Sequence, residues 1–353
     1  IVIDMRAVVL FLVLWVTLAE CVEMDHFVLA KRGRRCQYER SHGMNAAVCN
    51  RLDLQEVPTN LKSNIEILAA SLNRIRELYK TTFSNYQYLK ILYLEDNMIM
   101  YIENGTFSPL QSLEVIDLSS NSLDAVPREL LTLPYLRKLY MNNNRLSAYA
   151  GLLGSPPSQS LEFLSLAKCH LKQFPPLEGY HNMKILNLSD NELTTLTTQN
   201  LAPMCLLNTL YLSGNSHILQ GTGQDGACGC FVVESWIKNK AIFLPNNFKL
   251  NCSTNKFSGS CVNVTYPEES LQLYDTCINL FKTQQEIATS RTIWIVALVV
   301  AILFLVVLGT GLYYIHRRNR RKSLRDKNRN LKKYNGDVTQ RMVKYDNDDE
   351  LDT

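Results

Sequence analysis

The stretch Leu89-x-x-Leu92-x-Leu94-x-x-Asn97-x-Ile99 decides the fold, because versions of it recur along the chain. Close copies begin at Leu113 and Leu136, and looser ones lie on either side. The residue at the asparagine position runs, from the first copy to the last, Asn73, Asn97, Asn121, Asn144, Cys169, Asn191 and Asn215. The spacing of 22 to 25 residues indicates seven structural repeats between residues 65 and 218.

This period and phrase are the signature of leucine-rich repeats. One unit alone cannot bury the apolar side chains of its short strand, so stacked neighbours must supply the core. We therefore predict an α/β leucine-rich-repeat solenoid, curved, with parallel strands on its concave face. Each asparagine amide is expected to bond the backbone of its own turn and of the next coil. At Cys169 we expect a buried structural thiol.

The first residues predict a secretory signal peptide over 1–19. Met5 is the expected start, and Arg6 precedes an apolar run from Val8 to Leu18 that ends in small residues. A membrane span is the competing reading, but 11 apolar residues are too few for a bilayer core of about 30 Å. The mature chain should begin near Glu20.

A second apolar segment, Ile293 to Ile315, has 23 residues without a charge, which is long enough to span a bilayer. Arginines and a lysine follow it at once, so the basic side should face the cytosol. We predict a single-pass type I protein of the plasma membrane. Residues 278–292 would form a stalk outside and 316–353 a short cytoplasmic tail. Ala297 and Ala301 permit close helix approach, which leaves a homodimer open.

The predicted tail carries a net charge of +5, more than the +4 of the whole chain, so the basic balance indicates no nucleic-acid partner. Its inner half should lie along anionic lipid of the inner leaflet, a plain stop-transfer anchor being the alternative. Its polarity predicts disorder. Tyr345 and Ser323 lie in short patterns that kinases and adaptors use, and both are candidate phosphorylation sites.

The ten cysteines indicate an oxidising compartment, and they cluster at the two ends of the repeats. Segment 20–64 holds Cys36 and Cys49, which we expect to close the N-terminal end by a disulfide. Segment 219–277 should be a C-terminal cap that contains five cysteines. These are Cys228, Cys230, Cys252, Cys261 and Cys277. A Cys-x-Cys pair can also hold zinc, but behind a signal peptide disulfides are expected and no cofactor is predicted.

Signal peptide, capped repeats, stalk, single span and short tail together resemble the type I leucine-rich-repeat surface proteins of animals. That family includes neuronal adhesion receptors, immune co-receptors and auxiliary channel subunits. The resemblance implies bonds from Cys228 to Cys252 and from Cys230 to Cys277, with Trp236 packing a short helix over the last coil. Cys261 is extra to the family pattern and puts the second bond in doubt.

Three cysteines and several processing motifs leave alternatives open. Cys205 can bond Cys261 or, like Cys21, enter an intermolecular bridge. The run Arg32-Gly-Arg34-Arg35 is either a convertase site or a solvated basic loop. Candidate glycosylation sites are Asn104, Asn187, Asn251 and Asn263. Asn187 lies within a strand phrase, where a glycan would obstruct binding.

The strand positions that point away from the core should form the binding surface. The candidate partner-binding residues are Ile91, Tyr93, Asp117, Lys138, Tyr140, Phe163 and Tyr211. Aromatic and branched apolar columns edged by Glu95, Asp96 and Lys168 are typical of protein-binding surfaces. Such side chains also simply suit strands.

No catalytic motif is present: the sequence lacks a nucleophile elbow, a phosphate-binding glycine loop and a His-Glu-x-x-His pair. We therefore expect a non-enzymatic receptor or adhesion protein that binds an extracellular or membrane protein. The alternative is an auxiliary subunit or co-receptor, including an innate immune one, that modulates a channel or signalling receptor in the same membrane.

Overall fold

The computed structural model describes residues 35–146, 157–216, 218, 228–246, 248–250, 252 and 265–348. The predicted signal peptide, Cys21, the arginines before Arg35, Asn251, Asn263 and Cys261 lie outside these residues. The chain forms two units, one that ends at Asn279 and one that begins at Leu280.

A sheet of nine strands dominates the first unit. Two further strands, β4 and β6, form a separate sheet. In chain order, the strands of both sheets are β1 (Gln37–Ser41), β2 (Met44–Val48), β3 (Ile67–Ala69), β4 (Glu77–Leu78), β5 (Ile91–Tyr93), β6 (Tyr101–Ile102), β7 (Val115–Asp117), β8 (Lys138–Tyr140), β9 (Phe163–Ser165), β10 (Ile185–Asn187) and β11 (Thr209–Tyr211). In the main sheet, β1 and β2 pair antiparallel and every later neighbour pairs in parallel. Seven strands therefore stand at the seven predicted phrases, and the predicted solenoid fold is confirmed.

The core lies behind the middle residue of each repeat strand. Leu92, Ile116 and Leu139 are aligned on adjacent strands and are fully buried. Since side chains alternate along a strand, the residues on either side of these leucines point to the opposite face. That opposite face is the concave face, and its residues are mostly half-exposed.

The asparagines form the predicted ladder. The Nδ2 group of Asn121 donates to the carbonyls of Leu94, Leu118 and Ser119 at 3.0, 3.0 and 3.1 Å. Its Oδ1 atom accepts from the N–H of Ile99 at 3.0 Å. The neighbouring coil that it bonds is the preceding one, not the next one. Each amide thus satisfies buried backbone groups of two coils at once.

The residue before each ladder position adopts a left-handed backbone conformation. The φ angles are positive at Leu72, Asp96, Ser120, Asn143, Lys168, Asp190 and Gly214. The other six positions carry side chains, but Gly214 has no room for one, because a Cβ there would lie 2.1 Å from Oδ1 of Asp190. Asp, Asn and Gly, which occupy four of these seven positions, adopt this conformation most readily. At Leu72, Ser120 and Lys168 the stack imposes the turn on residue types that do not favour it.

The N-terminal end is closed by the β1–β2 hairpin. Cys36 and Cys49 are joined by a disulfide bond, and β2 pairs in parallel with β3. Ala46, Ala47 and Val48 are buried in this arrangement. The hairpin thus covers the first repeat with backbone hydrogen bonds as well as with apolar side chains.

The C-terminal end is closed by helices. They are α1 (Thr198–Leu201), α2 (Gly229–Asn239) and the long α3 (Glu268–Asp348). Trp236 on α2 is 1% exposed, and its ring meets those of Tyr266 and Tyr274 edge-on at 5.1 and 5.7 Å. Trp236 is therefore the centre of the C-terminal cap.

Two disulfide pairings implied by the family resemblance are wrong. Cys230 bonds Cys252, and Cys277 bonds Cys205, so neither Cys228–Cys252 nor Cys230–Cys277 forms. The bond suggested between Cys205 and Cys261 is wrong for the same reason. Cys228 is also disulfide-bonded.

The start of α3 explains the pairing. Ser270, Tyr274 and Cys277 lie on one face of the helix at helical spacing. Ser270 bonds Thr198 of α1 at 2.8 Å, and Tyr274 contacts Trp236. Cys277, about one turn further on, therefore meets Cys205 of the last repeat.

Peptide mapping checks this pattern. Digestion of the non-reduced protein is expected to release linked peptides that join Cys205 to Cys277 and Cys230 to Cys252, identified by mass. A linked peptide that contains Cys230 and Cys277 would contradict the described packing of α3.

The predicted disordered tail, 316–353, is instead helical as far as Asp348. Arg and Lys, which favour helices, are frequent here, and proline is absent after Pro267. Because the preceding segment is already helical, the tail residues extend that helix without the costly nucleation of a new one. Helix formation in the tail is therefore more favourable than its polar composition suggests. Within α3 the stretch around 293–315 is long and apolar enough to cross a membrane.

Candidate functional site

The candidate site lies on the concave face, around three side chains from adjacent strands. Tyr93 of β5, Asp117 of β7 and Tyr140 of β8 are aligned in one row, with Ser165 of β9 next to them. The same parity that buries Leu92, Ile116 and Leu139 directs these side chains to the open face. The register therefore brings a carboxylate between two phenol rings.

Asp117 is the unusual member of this row, because it is a carboxylate that is only 3% exposed. Its Oδ1 atom accepts from the N–H of Ser119 at 2.8 Å. Burial raises the pKa of the Asp117 carboxyl, and the hydroxyl and N–H of Ser119 lower it in part. The hydroxyl oxygen of Ser119 is itself buried and has no hydrogen bond of normal geometry within the described residues.

The rings beside Asp117 are partly buried and in contact with other groups. Tyr140 packs on Phe163 of β9, with ring centroids 4.6 Å apart. Burial, with the nearby charge of Asp117, raises the pKa of Tyr140 to about 12 and also raises the pKa of Tyr93. Both hydroxyls therefore stay protonated at neutral pH and can donate or accept a hydrogen bond.

A hollow of about 500 Å³ opens beside this row, toward the carboxyl ends of the strands. Its lining residues are Glu95, Asp117, Ser119, Ser120, Tyr140, Asn142, Asn143, Ala167 and Lys168. Asn142 is held in place because its Oδ1 accepts from Ser165 Oγ at 2.5 Å and from Ala167 N–H at 3.1 Å. Most of the lining residues are polar and Tyr140 is the aromatic one, but the surface that they expose to the hollow is more apolar than polar.

Acidic and basic residues alternate along the other edge of the concave face, at the amino ends of the strands. The residue just before each strand runs Glu66, Lys90, Glu114, Arg137, Glu162, Lys184 and Asn208. Glu66 pairs with Lys90 at 2.8 Å, and Glu162 pairs with Arg137 at 2.9 Å and Lys184 at 3.2 Å. Burial raises the pKa of Glu162, but the hydrogen bonds from Arg137 and Lys184 outweigh it and hold that pKa below its usual value.

Most of the predicted partner-binding residues lie near one another on the concave face, whereas Tyr211 lies apart from them. Ile91, Tyr93, Lys138, Tyr140 and Phe163 are half-buried on three strands of the concave face. Tyr211 lies on β11, three strands from Tyr140. Ser119, Asn142 and the charged edge were not predicted from the sequence, because the predicted surface comprised strand positions edged only by Glu95, Asp96 and Lys168. The charged edge could have been predicted from the sequence, because the residue before successive strands alternates between acidic and basic.

The candidate modification sites differ in their surroundings. Asn104 is exposed in a turn. Asn187 is half-buried on β10, and its Oδ1 accepts from Ser189 N–H at 3.0 Å. Ser323 is exposed on α3, and Tyr345 also lies in that helix.

Cys169 occupies its ladder position as a buried thiol, as predicted. Its Sγ atom donates to the carbonyl of Met141 at 3.2 Å, and its N–H donates to Oδ1 of Asn191 at 3.0 Å. Burial raises the pKa of this thiol to about 11. In the described part of the chain, no group of three His, Cys, Asp or Glu residues is placed to hold a metal.

The state of Cys169 leads to a labelling prediction. Because the thiol is fully buried and its pKa lies far above neutrality, a maleimide at pH 7 is expected to leave Cys169 unmodified in the native protein. Denaturation before labelling should modify it, as read by peptide mass. Rapid native labelling of Cys169 would show that this part of the stack opens.

The fold is a leucine-rich-repeat solenoid with disulfide bonds at both ends, and the chain is similar in sequence to leucine-rich-repeat proteins. A family profile described as Leucine rich repeat matches residues 63–123 and 89–146. Mimecan of Coturnix japonica is 30% identical over 151 residues, which are 42% of this chain and 50% of that protein. Tsukushi of Gallus gallus is 29% identical over 199 residues, 52% of each protein.

A receptor is also among the relatives. Leucine-rich repeat-containing G-protein coupled receptor 5 of Homo sapiens is 37% identical over 81 residues, which are 23% of this chain and 9% of that protein. The chain thus spans about half the length of Mimecan and Tsukushi and matches only a small part of the receptor.

Proposed function

We propose that this protein is a non-enzymatic cell-surface receptor or adhesion protein that recognises another protein through its concave face. The observation that carries the proposal is the alignment of Tyr93, Asp117 and Tyr140 on adjacent strands. Phe163 packs on Tyr140, and Asp117 and Tyr140 line the hollow. Partly buried aromatic side chains around a polar group are typical of the centre of a protein interface, because they offer large contact area at low entropic cost. Receptor relatives support this role.

The membrane arrangement that we propose follows the sequence pattern. Residues 293–315 would cross the plasma membrane once, with the repeats outside and the basic part of α3 along anionic lipid inside. Glycans would be attached at Asn104 and Asn263, and at Asn187 and Asn251 where access permits. Ser323 and Tyr345 would be open to kinases in the cytosol.

A paired substitution tests the concave face. The secreted portion, residues 20–292, would be used to find cells or proteins that bind it. Replacing Tyr93 and Tyr140 together by alanine is expected to weaken that binding at least about ten-fold, since central interface aromatics often contribute 2 kcal/mol or more.

The matched control replaces Tyr88 and Tyr135, which precede the same two strands and are 65% and 62% exposed. That pair should leave binding unchanged, and circular dichroism should show both variants folded. Equal binding by the two double variants would overturn the proposal.

The alternative role, an auxiliary subunit or co-receptor within the membrane, rests on the exposed apolar side chains of α3, which another span could cover. The same surface would serve a homodimer through Ala297 and Ala301. A shortened protein limited to residues 278–353 separates the two roles. If it alone modulates a co-expressed channel or receptor, the alternative holds; if the secreted portion alone binds cells, the first proposal holds.

A further inference from the structure

Asp117 has a charge that its local structure does not require. Asn187 occupies the corresponding position on β10 and makes the same bond, from the N–H two residues ahead to Oδ1, at 3.0 Å instead of 2.8 Å. An amide therefore fills the structural role. The carboxylate at Asp117 adds a second charged oxygen at a site that is 3% exposed.

Within the described residues, no basic side chain pairs with this carboxylate. Lys90, Arg137 and Lys184, which directly precede strands of the same sheet, lie at the opposite edge of the concave face. They form ion pairs with Glu66 and Glu162 instead. Lys168 borders the hollow without forming an ion pair to Asp117, and Glu95 adds a second carboxylate there. A buried charge without a partner is costly, and a cation that arrives from outside relieves that cost.

The groups around Asp117 suit a cation. Tyr93 and Tyr140 flank it on adjacent strands, and ring faces attract ammonium and guanidinium groups. The Tyr140 ring is held by Phe163, so its orientation is fixed before a ligand binds. Ser119 also lines the hollow, and its hydroxyl oxygen, which has no hydrogen bond of normal geometry within the described residues, is an acceptor beside the carboxylate.

Resting on the proposed function, we propose that the hollow at Asp117 receives the cationic end of an arginine or lysine side chain of the protein partner. The carboxylate would pair with the cation, and the tyrosine rings would enclose it. The remainder of the concave face would contact the partner around this anchor. Such a carboxylate and aromatic enclosure selects for charge, so neutral groups of the same shape should be excluded.

A small-molecule titration tests the site without the partner. The full chain in detergent micelles, with fluorinated tyrosine, would be titrated with n-butylguanidinium and with its neutral counterpart n-butylurea. The Tyr140 signal is assigned by its absence in Tyr140→Phe. We expect n-butylguanidinium to shift it with saturation and n-butylurea to leave it unshifted.

Two charge-removing variants complete the test. Asp117→Asn creates an Asn-Leu-Ser glycosylation sequon, so the variant and the parent protein would be made in a host without N-glycosylation. The change keeps the acceptor that Ser119 needs and should weaken n-butylguanidinium binding about ten-fold or more, as loss of a charged hydrogen bond predicts. Asp124→Asn removes an exposed carboxylate of the same repeat and should leave binding unchanged. Equal shifts from both compounds, or equal binding by Asp117→Asn and the parent protein, would overturn the inference.

The outcomes separate this inference from the proposed function. If the Tyr93 and Tyr140 pair is needed for partner binding but Asp117→Asn binds partner and n-butylguanidinium as before, the concave face stands and the cation site fails. If n-butylguanidinium binds at Asp117 but partner binding ignores the tyrosine pair, the proposed function fails and the cation site stands.

Discussion

Replacing Asn121 by alanine is expected to lower the free energy of unfolding by about 3 to 5 kcal/mol, since four hydrogen bonds of roughly 0.5 to 1.5 kcal/mol each are lost and one buried N–H is left unsatisfied. The amide donates to three carbonyls and accepts from the N–H of Ile99, and all four partners belong to two coils of the interior. Alanine removes all four bonds. Each of the three carbonyls keeps one other donor, but the N–H of Ile99 loses the acceptor that Asn121 supplies. Urea unfolding of residues 20–292, followed by circular dichroism, measures the loss.

Two companion variants make this result specific. Asn121→Asp should be less stable than Asn121→Ala, because a buried carboxylate would then face three carbonyl oxygens with nothing to donate. Ser122→Ala, one residue on and exposed, should change stability by less than about 0.5 kcal/mol. If Asn121→Ala were no less stable than Ser122→Ala, the ladder would not hold the coils together.

Trp236→Ala is expected to cost about 3 to 5 kcal/mol, the range for removal of a large buried aromatic side chain. Trp236 touches Tyr266 and Tyr274, so its loss leaves a cavity between α2 and the start of α3. The end of the repeats would then be less well covered. Thermal unfolding measures this loss of stability, with backbone circular dichroism as the signal because it does not rely on tryptophan.

Lys238→Ala is the matched control on the same helix. Its side chain is 71% exposed and pairs only with Glu234, four residues earlier, within the described structure. Such surface pairs contribute about 0.3 to 0.5 kcal/mol. Equal melting temperatures for Trp236→Ala and Lys238→Ala would mean that Trp236 is not the centre of the cap.

The repeats could be predicted from sequence because the physics that forms them is local and periodic. Leu92 and Asn97 recur in register, and each copy with asparagine at the ladder position repeats the same burial and the same kind of ladder bonds. The left-handed turns could not be predicted, because residues as different as Leu72 and Lys168 occupy them. Their conformation is set by the stack.

The caps and the centre of the site depended on contacts between distant residues. The bond from Cys205 to Cys277 forms because α3 packs on α1 and α2, which the spacing of cysteines does not encode. Asp117 was predicted on the concave face, but not as a buried group. Its burial arises from the neighbouring strands and from Ser119, which the strand pattern leaves out.

Site-specific photo-cross-linking tests the central claim, partner recognition by the concave face, most directly. A benzophenone amino acid would replace Lys138, on the concave face, or Tyr135, three residues earlier and 62% exposed. On cells that bind the secreted portion, irradiation is expected to yield a covalent adduct to the partner from position 138 and none from position 135. Adducts from position 135 alone would contradict the account.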